Sequence, residues 1–280
     1  MSIPQGLAVE DIIGAGATGT VRRGRITGGH LMETAPAWAA ANIAVKTWDN
    51  PEDGAAVAMG AIAAIKAIPA AHMAALIDAD AIVPFAVIEG NTAAVIMPVG
   101  TPVSNRDWRH VLALAERLAE SDTAVVHMDV KAANTVWHNG AVKFVDHDAL
   151  FATNSTHPPA LPSYAPWIWR RWVQDMDVPA TRHLDPEAYD DAYYTAYDRI
   201  STTLSRDRDG AMAVMYWGAL STAITMTTGD GNPIITAAAV HGLGCPMATR
   251  IWERMNAHWE TSTIAAEIDR LGAWRHESAT

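Results

Sequence analysis

Cysteine is nearly absent: the 280 residues include one, Cys245. A single thiol rules out an internal disulfide framework and a Cys-rich zinc site, which suits a reducing compartment, so a cytoplasmic protein is expected. Lysine is scarce too, at four positions, Lys46, Lys66, Lys131 and Lys143. Positive charge is short overall, with 20 Lys and Arg against 31 Asp and Glu and a net charge of -11. No basic cluster occurs, which argues against a nucleic-acid partner, because the phosphate backbone is bound by clustered cations. The 11 histidines never fall into H-E-x-x-H, and the His147-Asp148 dipeptide is too short a match for a metal phosphohydrolase. The opening residues, Met-Ser-Ile-Pro-Gln-Gly, lack a basic segment followed by an apolar run, so no signal peptide is expected. No membrane partner is expected either. The uncharged run from Ala211 to Thr228 reaches only the lower length limit of a span and is broken by Thr, Ser, Tyr and Gly, so it is not expected to cross a membrane.

What is present is ample apolar material, 50% of the chain against 18% charged, enough for one large domain or two lobes with a substantial core. No internal repeat or low-complexity segment interrupts it. The stretch from His127 to Asp148 carries the densest chemistry. It holds His127, Asp129, Lys131 and Asn134 in the frame H-x-D-x-K-x-x-N, two short apolar runs around Asn139-Gly140, and then Asp146. Asn-Gly between β-prone runs is the strongest short hairpin signal, so strands are expected over Thr135 to Trp137 and Val142 to Val145. Such a hairpin fixes Asp146 beside Asn134. A phosphoryl transfer needs an acid group beside the attacking hydroxyl, a cation near the moving phosphate and oxygen ligands for Mg²⁺. Asp129, Lys131, and the pair Asn134 and Asp146 supply these in turn.

Nearer the start, a strand over Leu7 to Ile13 runs into Gly14-Ala15-Gly16-Ala17-Thr18-Gly19-Thr20-Val21, the pattern G-x-G-x-x-G-x-V. A dinucleotide site would open a helix here. Val21 to Ile26 instead reads as a returning strand, which puts the glycines at the tip of a hairpin lying over phosphates or, more plainly, at an ordinary turn. Asn42 to Trp48 is a β-prone run with Lys46 in the frame A-V-K. With so few lysines in the chain, the presence of two of them at motif positions is informative.

In this order and spacing the chain resembles the eukaryotic-like Ser/Thr protein kinase family, as a divergent bacterial or phage member. Gly14, Gly16, Gly19 and Val21 match its glycine loop, Ala44 and Lys46 its A-x-K strand, His127, Asp129, Lys131 and Asn134 its catalytic loop, and Asp146 the metal-binding Asp of D-F-G. The resemblance spans about residues 9 to 166. It implies an α+β, bilobal protein-kinase-like fold, with a small antiparallel β-sheet lobe over 1–97 and a larger mainly helical lobe over 98–280. ATP and Mg²⁺ (or Mn²⁺) would sit between them, and protein substrates would be phosphorylated on Ser or Thr. By the same resemblance, Lys46 contacts the α and β phosphates, while Val21, Ala44 and Val136 sandwich the adenine. Met97 falls at the gatekeeper, and Pro98-Val99-Gly100 at the hinge. Further strands are expected over Ile82 to Glu89 and Thr92 to Met97, an amphipathic helix over Trp108 to Ala119, a buried helix begun by Asp209 (with Asp207 the rival) that anchors the catalytic loop, and closing helices around Ile251 to Trp259 and Ile264 to Leu271.

The chain also departs from the family. Asn50-Pro51-Glu52-Asp53 opens a helix well, with Asn as N-cap and Pro at N1, but no acid follows between Asp53 and Asp78 to pair with Lys46; Glu52 is the nearest candidate. His147-Asp148 stands in place of Phe-Gly. Met128 replaces an arginine that reads activation-loop phosphate, so activity is not expected to require phosphorylation at Thr153, Ser155 or Thr156. Tyr164-Ala165-Pro166-Trp167 lacks the anchoring glutamate, and Trp167, Trp169 and Trp172 gather there as a local aromatic core or a docking patch. Asp185 to Asp191 is acidic, which favours basic peptides as substrates or is simply a solvated face. Two alternatives stay open: a small-molecule kinase of the aminoglycoside-phosphotransferase type, and a nucleotide-binding pseudokinase scaffold. No oligomeric state follows from the sequence.

Overall fold

In the computed structural model the described residues are 3–15, 19–35, 39, 41–48, 50, 55–56, 59, 85–89, 92–120, 125–146, 150–152, 203–204, 206–231, 233 and 235–266. They form a mixed α+β structure. The N-terminal part is an antiparallel five-stranded sheet made of β1 (Leu7–Ala15), β2 (Gly19–Ile26), β3 (Ile43–Trp48), β4 (Phe85–Glu89) and β5 (Thr92–Pro98), in the order β1-β2-β3-β5-β4. A short helix, α1 (His30–Thr34), lies between β2 and β3. The expected returning strand is β2, which pairs Thr20 with Ala15 and Ile26 with Leu7. Gly19 has a packing reason of its own, since a Cβ there would lie 2.4 Å from the Thr47 carbonyl oxygen of β3.

Strand periodicity sorts the sheet's side chains. Successive residues face opposite sides, and β3 is buried along its whole length. Ile43 and Val45 join Ala94 and Ile96 on one face, with Leu7, Val9 and Ile26 packed against them. Ala44 and Trp48 join Ala93, Val95 and Met97 on the other. Lys46, between Ala44 and Trp48, therefore shares the second face, and its Nζ lies 5.5 Å from the Trp48 ring centroid.

Beyond β5 the chain turns through β6 (Thr101–Pro102) and a single 3-10 turn, Asn105–Asp107, into α2 (Trp108–Glu120). Ser104 starts that turn, its backbone N–H and hydroxyl both donating to the Asp107 carboxylate at 2.7 and 2.8 Å; these bonds hold the Asp107 carboxyl below its usual range. The apolar spacing read from the sequence is the buried stripe of α2, with Val111, Leu112, Ala115 and Leu118 in the core. Then come β7 (Val125–His127), β8 (Thr135–His138), β9 (Ala141–Phe144) and β10 (Leu150–Ala152), forming two small antiparallel sheets, β10-β7 and β6-β8-β9. The Asn139-Gly140 turn is as expected. His138 pairs with Ala141, and Asn139 and Gly140 both take positive φ, 51 and 81°, the backbone that a two-residue hairpin of this twist requires.

The remaining described helices are α3 (Arg208–Thr228), α4 (Ala237–Gly242) and α5 (Pro246–Thr261). The Asp207 side chain caps α3 by accepting from Gly210 N–H, and Gly229 ends it in the left-handed conformation. Tyr216, Met215 and Leu220 are fully buried, and an apolar surface all round marks a helix enclosed by protein. Around it pack α2, Ile251 and Met255 of α5, and Val126, Met128, Val130, Val142 and Phe144 from the β7–β9 region. Met128 is wholly inside this core, which accounts for an apolar residue at that motif position. Among the described residues, no helix is long and apolar enough to cross a membrane.

The helix expected from Asn50 is seen only at Ala55 and Ala56 and again at Met59. Glu52, Gly16, the Thr153 to Thr156 segment, the tryptophan cluster, the acidic stretch and the helix around Ile268 lie outside the described residues. Residues 263–266 are helical, with Ile264 buried.

Candidate functional site

Between β7 and β8 the loop Met128–Asn134 closes in a 3-10 turn, Ala132–Asn134. Its geometry centres on Asp129. One carboxylate oxygen, Oδ2, accepts from Lys131 Nζ at 2.8 Å and from Asn134 Nδ2 at 2.7 Å. The same Asn134 amide group also donates to the Asp129 carbonyl at 3.0 Å. The other oxygen, Oδ1, is buried with no hydrogen-bond partner among the described residues. A buried carboxylate oxygen without a partner is costly, so this position can take a donor, from water or from a ligand hydroxyl.

His127 secures the start of this loop. Its Nε2 lies 3.1 Å from the Val145 carbonyl, and its Nδ1 accepts from Asp129 N–H at 3.2 Å. A carbonyl only accepts and an amide N–H only donates, so the ring is the neutral tautomer with its proton on Nε2. The ring is fully buried and stacks on Phe144 at 4.6 Å between centroids. Burial holds its pKa below the ordinary value of 6.5, against the opposing pull of the Val145 carbonyl and the Asp129 and Asp146 charges. The consequence for stability has a definite sign. Below pH 6.5 the unfolded chain takes up this proton while the native state refuses it, so stability drops as pH falls. In chemical denaturation, the stability of the wild type should fall more steeply than that of His127→Gln as the pH drops below 6.5. Identical slopes would show that the native ring titrates normally.

Asp146 is reached through the hairpin. Val145 N–H donates to the Asn134 carbonyl at 2.8 Å, and Asp146 itself takes a left-handed φ of 64°. Its Oδ1 accepts a hydrogen bond and ion pair from Lys46 Nζ. A lysine of the N-terminal sheet and an acid from the far side of β9, separated by 100 residues, thus meet.

Above this polar group lies an apolar patch. Val21, Val99, Val136 and Val145 pack onto the sheet face formed by Ala44, Trp48, Val95 and Met97. The predicted residues Val21, Ala44, Met97, Val99 and Val136 are therefore gathered in one place. Gly100 explains the close approach of the 98–100 segment to β8, because a Cβ there would fall 2.4 Å from Val136 Cγ2. His138 Nδ1 donates to the Val99 carbonyl at 3.2 Å, tying the same segment to the end of β8. Gly14 lies in β1 opposite Val21, so the edge of the glycine hairpin borders this patch.

The donor set fits a hard divalent cation that keeps some of its waters. Asp146 offers carboxylate oxygen. Asn134 uses its amide hydrogens on Asp129, which leaves its carbonyl oxygen as the atom for a cation. Mg²⁺ is commonly held by one or two such side chains together with substrate phosphates. Among the described residues, no group of three or more His, Cys, Asp or Glu could hold a metal ion by itself.

One expectation is corrected. Asp209 does not reach the loop Met128–Asn134: its Oδ1 lies 2.9 Å from His258 Nδ1, and its Oδ2 accepts from Thr261 Oγ1 at 2.8 Å, both at the end of α5. Partial burial raises its pKa, but these bonds outweigh that and hold the carboxyl below the usual range. Asp207, the rival, accepts from Gly210 N–H and from Ile264 N–H. Both acids thus tie the start of α3 to its own turn and to the C-terminal helices. No family model matches the sequence, and no curated protein matches it as a relative.

Proposed function

We propose that this chain is a bilobal, protein-kinase-like phosphotransferase that uses ATP and Mg²⁺ to phosphorylate Ser or Thr hydroxyls of protein substrates. The single observation that carries the reading is Asp129. One of its oxygens is fixed by Lys131 and Asn134, while the other is buried and without a donor among the described residues, in the same loop that the Lys46–Asp146 pair adjoins through Asn134 and Val145. In this reading residues 1–97 form the nucleotide-binding lobe and 98–280 the catalytic and substrate lobe.

Asp129 Oδ1 accepts the hydrogen of the attacking hydroxyl, which orients the oxygen toward the γ-phosphorus. Lys131, anchored on Oδ2, offsets negative charge on the transferred group. Lys46 holds the α and β phosphates, with Gly14 and Gly19 of the hairpin beside them. The adenine slots among Val21, Ala44, Val136, Met97 and Val99. Asn134 and Asp146 would hold the metal, which when bound would offset negative charge on the phosphates.

The test is incubation with γ-labelled ATP and Mg²⁺, alone and with a bacterial lysate, comparing the wild type with Asp129→Asn. Label on protein that requires the wild-type chain supports the reading. A labelled small molecule, with protein unlabelled, would instead make it a metabolite or drug kinase using the same loop; nucleotide binding without turnover would make it a pseudokinase.

A further inference from the structure

The catalytic loop is held from below by a contact that no acid makes. Thr222, in the middle of α3, donates its hydroxyl to the Val130 carbonyl at 3.0 Å across 92 residues of sequence. Both residues are buried. One helical turn earlier, Gly218 lets the α3 backbone touch the same residue: a Cβ there would sit 3.1 Å from the Val130 carbonyl oxygen and 3.2 Å from its Cβ. Positions four apart share a helix face, so Gly218 and Thr222 form one seat for Val130. A threonine inside a helix commonly turns its hydroxyl back to its own helix, bonding the carbonyl one turn before, as Thr227 and Thr228 do in α3. Thr222 reaches out to another element instead. Asp207 and Asp209 leave this work undone, since their bonds go to α3 itself and to the C-terminal helices.

Val130 lies between Asp129 and Lys131, and the peptide unit is planar. Fixing the Val130 carbonyl therefore fixes the plane of the 130–131 peptide, from which Lys131 departs toward Asp129 Oδ2. We propose that Thr222, seated with Gly218, is the positioning residue of the catalytic loop, aiming the Asp129–Lys131 pair from the buried helix α3. Its kinetic consequence rests on the phosphotransfer reading; its structural consequence does not.

The test compares Thr222→Val, which keeps the shape and removes the hydroxyl, with Thr222→Ser, which keeps the hydroxyl. Gly218→Ala pushes on the same carbonyl from the other side and serves if the valine variant does not fold. Hydrogen exchange read by mass spectrometry should speed up about tenfold over residues 126–134 in Thr222→Val and Gly218→Ala, with α3 itself unchanged. Turnover should fall about tenfold with the KM for ATP within about twofold. Thr222→Ser should restore both. Unchanged exchange in the loop, equal loosening of α3, or failure of Thr222→Ser to restore protection would overturn the proposal. If the wild type transfers no phosphate at all, the kinase reading falls, and the exchange result alone decides whether Thr222 positions the loop.

Discussion

Asp129→Asn is expected to cut phosphate transfer by about 10²–10⁴-fold, the range that one general acid-base group supplies, while ATP affinity stays within about twofold. The substitution is nearly isosteric, so the fold should survive. Its polarity is wrong in either orientation. If the new amide nitrogen takes the Oδ2 position, its hydrogens face the Lys131 ammonium and the Asn134 amide, both of which donate there at 2.8 and 2.7 Å. If it takes the Oδ1 position, it presents hydrogens to an incoming hydroxyl that needs an acceptor. The second orientation keeps both existing bonds and is the lower in energy, so the variant should be stable yet unable to orient the nucleophile. In the proposed reading the nucleotide contacts come from Lys46, Asp146 and the apolar patch, whereas the hydrogen bonds of Asp129 go to His127, Lys131 and Asn134. Calorimetric titration with ATP and Mg²⁺ alongside single-turnover kinetics checks both halves. Unchanged turnover would remove Asp129 from the chemistry, and lost nucleotide binding would show that the loop had collapsed.

The elements that place Asp129 were legible because their signals are local. Asn139-Gly140 takes the positive φ values a two-residue turn demands, and a short-range motif carries that information in full. The face on which Lys46 lies follows from strand periodicity once β3 is recognised. The apolar stripe of α2 is likewise a matter of spacing along one element. What stayed hidden depends on pairs far apart in the chain. An acid in the first turn of a helix satisfies the helix terminus wherever the rest of its bonds go, so nothing local to Asp209 showed which other element it would bond. His258 and Thr261, its actual partners, lie some fifty residues later. Gly218 and Thr222 were visible only as interruptions in an apolar run, since nothing nearby marks Val130 as their contact. The spacing of four between a small residue and a hydroxyl on an otherwise apolar helix was the available signal. The tautomer of His127 is set by a carbonyl and an amide from two different segments, and no motif encodes that.

Magnesium is expected to tighten ATP binding by about tenfold to a hundredfold, and Asp146→Asn should remove most of that effect. In the structure Lys46 Nζ is bound to Asp146 Oδ1, and the two side chains are 9% and 35% exposed, so the pair is only partly screened by water. Metal-free nucleotide must draw the ammonium toward its phosphates and bring those phosphates near the Asp146 carboxylate. Like charges about 5 Å apart repel by roughly 3 kcal/mol at an effective dielectric constant near 20; part of this is relieved by solvent and by Lys46 itself. If Asp146 holds Mg²⁺ as proposed, the acid would have a new partner, the repulsion would be relieved, and Lys46 would turn to the phosphates. Replacing the carboxylate with an amide removes both the competitor and the metal ligand. Asp146→Asn should therefore bind ATP in EDTA more tightly than the wild type does, yet gain little from added Mg²⁺, and it should transfer no phosphate. Lys46→Met should behave oppositely, with weak binding under both conditions and the Mg²⁺ gain largely kept. Titrations of the three proteins with and without Mg²⁺ separate the cases. Equal affinity of the wild type and Asp146→Asn in EDTA would mean that the ion pair does not govern access of the nucleotide to Lys46.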